Sequence, residues 1–99
     1  MTPAEVADFL EALPRCKRKG TRAVPAWYVD DRIVARLVSD DELMIRCAFD
    51  ERERLMSADP ETFGIPPAYE RHLKVQAMLD GDGELIRTAL RKAWQLQRR

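Results

Sequence analysis

Apolar residues fall at two periods along this chain, and the switches between them mark out its elements. Val6, Phe9, Leu10 and Leu13 recur at helical spacing, the stripe of an amphipathic helix. Thr2-Pro3-Ala4-Glu5 supplies its start: a hydroxyl N-cap, proline at the first helical position and glutamate three residues after the cap. Pro14 ends it, because the residue before a proline is driven out of helical geometry. From Pro25 the period becomes two. Trp27 and Val29, then Ile33, Ala35 and Leu37, then Leu43, Ile45 and Cys47 alternate with their neighbours, and Asp30-Asp31 and Ser39-Asp40-Asp41 mark the turns. Three such runs joined by short polar turns predict an antiparallel meander.

The second half repeats the switch. Asp50 and Glu53 form a capping-box-like pair ahead of a short helix through Leu55 and Met56, stopped at Asp59-Pro60. Glu61 to Tyr69, with Pro66-Pro67, reads as a short edge strand and a loop, since proline suits an edge. Leu73, Val75, Ala77 and Leu79 alternate as a further strand. Asp80-Gly81-Asp82-Gly83 turns into a last helix carrying Leu85, Ile86, Ala89, Leu90, Ala93, Trp94 and Leu96 on one broad stripe. The expected order is α-β-β-β-α-β-β-α: an α+β two-layer domain over residues 1–99, its helices on one face of an antiparallel sheet. Every odd-numbered strand position is apolar, so the odd face is expected in the core. Tyr28, Arg32, Arg36, Arg46 and Lys74 then share the even, outward face with Val34, Val38, Met44 and Met78.

Composition changes little in this picture. With 99 residues, 45% hydrophobic, the chain has room for one core and one domain. Its 17 basic and 17 acidic residues cancel, so any electrostatic attraction must come from how charge is distributed. One segment is biased: Arg15 to Arg22 holds Arg15, Lys17, Arg18, Lys19 and Arg22 with no acidic residue, and is expected to be a loop. Cys16 and Cys47 form no CxxC or Cys/His cluster and read as reduced thiols of a cytoplasmic protein. Cys47 is expected in the core. Cys16 is expected on the loop, where its basic neighbours could depress its pKa. No run is long enough to span a membrane.

Catalytic chemistry finds no footing. His72 is the only histidine, with Glu70 its only local carboxylate, and it reads as a surface residue. Asp30-Asp31 and Asp40-Asp41-Glu42 lie where aspartate serves hairpin turns, and their spacing does not match a calcium loop. Asp80-Gly81-Asp82-Gly83 lacks phosphate-loop spacing. No catalytic residue, metal site or cofactor is assigned.

Several strings resemble the MmcQ/YjbR family of small bacterial proteins. They are Pro25-Ala26-Trp27-Tyr28-Val29 with Ile33-Val34-Ala35-Arg36-Leu37, Leu43-Met44-Ile45-Arg46-Cys47, Glu51-Arg52-Glu53-Arg54-Leu55, Asp59-Pro60-Glu61-Thr62-Phe63, Ile65-Pro66-Pro67-Ala68-Tyr69 and Leu90-Arg91-Lys92-Ala93-Trp94. The family's Gly-Tyr-Pro-Trp-like lead into its last strand is replaced here by Glu70-Arg71-His72-Leu73. The resemblance implies a secretion-chaperone-like fold and a non-enzymatic module with a DNA-binding label. The residues expected to contact DNA are Lys17, Arg18, Lys19 and Arg22 of the basic loop and Arg36, Arg46 and Lys74 of the open sheet face. The alternative is a protein-interaction or chaperone-like module, self-associating through that same face, where Val and Met lie between the charges.

Overall fold

The capping box at Thr2 forms. The Glu5 amide donates to the Thr2 hydroxyl oxygen at 3.1 Å, and the Thr2 amide donates to the Glu5 carboxylate at 2.9 Å. In the computed structural model, which describes residues 1–99, this starts helix α1 (Pro3–Glu11) and points Val6, Ala7 and Leu10 into the core. Six strands follow: β1 (Lys17–Gly20), β2 (Pro25–Val29), β3 (Arg32–Leu37), β4 (Glu42–Arg46), β5 (Phe63–Gly64) and β6 (Lys74–Met78). They form one sheet in the order β1-β2-β3-β4-β6-β5, every neighbouring pair antiparallel. Helix α2 (Phe49–Ala58) precedes β5, a single 3₁₀ turn spans Pro67–Tyr69, and α3 (Gly83–Gln97) closes the chain. The fold is α+β, as the patterning predicts.

The helices cover one face. Trp27, Val29, Leu43, Ile45, Val75 and Ala77 from the sheet join Val6, Leu10, Leu55, Ile86, Leu90 and Trp94 in one cluster. Each fully buried Leu or Ile there contributes about 1.5–3 kcal/mol. Asp82 caps α3, its carboxylate accepting from the amides of Glu84 and Leu85. At the other end of that helix the Trp94 indole N–H donates to the Pro14 carbonyl at 2.9 Å, tying α3 to the end of α1.

Four expectations need correction. The basic segment is not simply a loop: Lys17–Gly20 pairs with β2 as the edge strand, Lys17 opposite Tyr28 and Gly20 opposite Pro25. All four residues are exposed, so no apolar alternation announces the strand, and its lysines blunt the open edge. The odd-face rule holds on β6, is blurred on β2 and β4, where the even residues Ala26 and Met44 are buried too, and breaks on β3. A bulge lets Trp27 face Ala35 while Tyr28 faces Ile33, leaving Val34 as the extra residue. Val34 is fully buried, Ile33 half-exposed, and Arg32, opposite Val29, leaves the outer face. Helix α2 begins two residues early, at Phe49, with Ala48 rather than Asp50 at its N-cap and no side-chain cap. Cys16, finally, is buried rather than exposed. Burial, and after it the nearby Glu11 carboxylate, pushes its thiol up to about 11.

Candidate functional site

The seven basic residues expected at a binding surface divide into four groups. Arg18 faces inward from β1, opposite Trp27, and is engaged. Its guanidinium donates twice to one Glu11 carboxylate oxygen, at 2.9 and 2.7 Å, and lies over the Trp27 ring. The Trp27 indole donates to that oxygen too, at 3.0 Å. The indole first, and Arg18 second, hold the Glu11 carboxyl below its ordinary range. Arg22 sits in the β1–β2 turn, beside a cleft of about 350 Å³ that also borders Asp8, Asp40 and Trp27. Lys17 and Lys19 project to the outer sheet face at its edge, where Lys19 pairs with Asp31 at 3.1 Å and lies over the Tyr28 ring.

Arg36, Arg46 and Lys74 occupy the middle of that face. Arg46 and Lys74 stand directly opposite each other on β4 and β6, and Arg36 faces Met44, two residues from Arg46. Directly opposed residues bring their Cβ atoms to about 4.5–5.5 Å and diagonal ones to about 7–8 Å, and like charges so placed repel. None of the three takes part in an ion pair; the carboxylates of the structure pair with Arg15, Arg18, Lys19, Arg54, Arg87 and Lys92 instead. Glu42, a carboxylate on the same face, accepts from Gln76 at 2.6 Å. The Arg46 Nε is shielded from solvent and has no hydrogen-bond partner. Burial, then Arg36 and Arg46, lower the Lys74 pKa. Three cations thus converge at the centre of a sheet, none of them in an ion pair, with Glu42, held by Gln76, as the carboxylate on their face.

Tyrosines flank this cluster. Tyr28 lies half-buried on β2, opposite Ile33 of β3 and two strands from the Arg46 strand. Tyr69 lies on the far side, its ring 4.4 Å from the Lys74 ammonium. Tyr69 belongs to the 66–73 connection, and sequence reasoning missed what holds it there. Arg52 of α2 is only 6% exposed and faces no carboxylate. Its guanidinium donates to three backbone carbonyls, those of Tyr69 (3.2 Å), Glu70 (3.2 Å) and His72 (2.9 Å), and stacks on Phe49. The available signal was its position: Arg52 lies three residues before Leu55, on the buried stripe of α2.

The apolar residues expected among these charges are largely withdrawn. Val34 is in the core, Met44 is 2% exposed although its register places it outward, and Met78 is half-buried, leaving Val38 exposed. His72 is exposed on the loop and serves Arg52 only through its carbonyl. No three His, Cys, Asp or Glu side chains are placed to hold a metal ion. No helix is long and apolar enough to cross a membrane.

No protein-family model matches the sequence, and no curated protein matches it. Solved structures do share its fold. The Deinococcus radiodurans protein DR2400, which carries the domain DUF419, superposes with a TM-score of 0.80 at 18% identity, over 96% of this chain and 77% of that one. A Pseudomonas syringae protein superposes with a TM-score of 0.69 at 15% identity, over 99% of this chain and 100% of the other. At these identities the likeness is one of fold.

Proposed function

We propose that this chain is a non-enzymatic binding module of the MmcQ/YjbR type, acting in the cytoplasm and taking the backbone of a nucleic acid on its outer sheet face. The fold shared with the DUF419 protein and the strings from Pro25 to Trp94 support the family reading. One observation carries the ligand class: Arg36, Arg46 and Lys74 sit side by side and none of them has an ion-pair partner. A sheet that opposes arginine to lysine is less stable for it, and a bound polyanion would relieve the repulsion. Phosphate contacts from such groups position a backbone without reading sequence. Lys17 extends the positive surface to the sheet edge, whereas Arg18 and Lys19 are already paired with Glu11 and Asp31.

A protein partner, or a second copy of the chain, on the same face is the competing reading. Val38 at the rim supports it, but the apolar patch it requires shrinks once Val34 and Met44 are buried. Fluorescence anisotropy with short labelled DNA at about 50 mM salt, which favours electrostatic binding, separates the two. Binding should weaken steeply with salt and be abolished in the Arg36→Glu, Arg46→Glu, Lys74→Glu triple variant. Lack of association at tens of micromolar protein, roughly the non-specific regime, would refute the nucleic-acid reading, and light scattering on the same sample would then test self-association.

A further inference from the structure

We infer that the outer face selects single-stranded over duplex nucleic acid, with a phosphate seated among Arg36, Arg46 and Lys74 and bases stacked on Tyr69 and Tyr28. This rests on the nucleic-acid reading above and names its ligand. The shape of the face comes first. The cations lie at the middle of a six-stranded sheet in a molecule of about 30 × 28 × 25 Å. The DNA major groove admits a helix or a two-stranded ribbon, so a face six strands wide touches a duplex only tangentially. A single strand can lie flat across it, and its unpaired bases are free to turn toward the protein.

The aromatic positions come second. Tyr28 on β2 and Lys74 on β6 are separated by three strand spacings, about 14 Å at roughly 4.8 Å each, and Tyr69 lies beside Lys74. The phosphate seat therefore has a ring on either side. Each ring is at present covered by an ammonium: Lys19 lies 5.1 Å from the centre of Tyr28, and Lys74 4.4 Å from that of Tyr69. A lysine that swings on its flexible stem to a phosphate oxygen uncovers the ring face that a base then takes. Arg52 is the positioning residue: its three carbonyl contacts fix the turn that carries Tyr69.

The test compares a single-stranded oligonucleotide of about 12 nucleotides, within the range of site sizes for single-strand binders, with its duplex. Inorganic polyphosphate serves as a competitor that has charge but no bases. The single strand should bind more tightly than the duplex. Tyr69→Ala should weaken single-strand binding by roughly 5- to 150-fold, the loss of one stacked base, while Tyr69→Phe preserves it and polyphosphate affinity stays unchanged in both. Should Tyr69→Ala lose its native circular dichroism, Tyr28→Ala carries the same expectation. Equal or tighter duplex binding, or alanine variants that bind single strands as the parent does, would overturn this inference while leaving the polyanion face standing if polyphosphate still competes. Failure of all three probes to bind would overturn both.

Discussion

Arg52 offers the sharpest test of how this fold is held. It is a buried cation whose partners are three backbone carbonyls rather than a carboxylate. Hydrogen bonds to a charged group contribute about 1.5–3 kcal/mol each before desolvation is counted, and burying the guanidinium offsets part of that sum. Two of the three carbonyls belong to exposed residues, Glu70 and His72, so water can replace some of what is lost. Removing the fork should therefore cost about 3–5 kcal/mol in Arg52→Ala. Arg52→Met, which keeps a long apolar stem beside Phe49, should cost about 2–3 kcal/mol, the loss being mainly of hydrogen bonds. Arg52→Lys cannot reach three acceptors with one ammonium and should fall between Met and the parent. Urea unfolding reads this directly: at an m-value of about 1.5 kcal/mol/M, a 3 kcal/mol loss moves the midpoint by about 2 M. Amide exchange should accelerate at Tyr69 and His72, whose N–H groups are bonded within the same loop. An Arg52→Met protein as stable as the parent, with an unchanged m-value, would refute the argument, because desolvation would then have cancelled the three bonds.

Other outcomes follow from single features. Arg46→Gln should raise stability by about 0.2–1 kcal/mol by removing the charge opposed to Lys74; thermal melts at low and high salt should show the gain shrinking with salt, and a gain independent of salt would rule out repulsion as its source. Trp94→Phe should cost about 1 kcal/mol for the lost bond to Pro14, read from the denaturant midpoint; a loss of 3 kcal/mol or more would mean that packing dominates there. The two thiols make stability fall at high pH. Both are buried and pushed up to about 11, against 9.0 when free; as pH rises past 9 the unfolded chain releases these protons first, so unfolding becomes easier until about 11. Cys16→Ala should flatten that decline, and an unchanged slope would contradict the raised value.

How much of this was legible in the sequence depended on whether a position faces one environment or two. α1, α3 and β6 each bury one face against solvent on the other, and the resulting apolar period is plain in the residues. β1 is exposed on both sides, so Lys17-Arg18-Lys19-Gly20 carries no period, and only its ladder with β2 makes it a strand. On β3 the run Ile33-Val34-Ala35 is apolar at three successive positions and fits either parity; the bulge decides which is buried, and a bulge is a property of two paired strands. At the candidate site, the outward placement of Arg36, Arg46 and Lys74 was readable from alternation, whereas the diversion of Arg18 to Glu11 depends on a helix brought in from elsewhere. Arg52 was hidden among the charges of Glu51-Arg52-Glu53-Arg54, because a buried arginine that answers to carbonyls needs no acidic partner in its neighbourhood. Cys16 misled for the opposite reason: its neighbours in sequence are basic, but its neighbours in space are the core.

The bond from Trp94 to Pro14 spans 80 residues, and that separation bears on the order in which the structure can be made. The hairpins between β1 and β4 are local and can close within microseconds of leaving the ribosome. Their helix-facing side, with Trp27, Val29, Leu43 and Ile45, is completed by α3, which follows them in the chain. At about 5–20 residues per second, the roughly fifty residues between β4 and the end of α3 leave that apolar surface uncovered for seconds. α1 waits with it, since the end of that helix is anchored by the tryptophan of α3. The nascent chain is therefore most vulnerable to aggregation until α3 emerges, and that helix is the lid that ends the exposure.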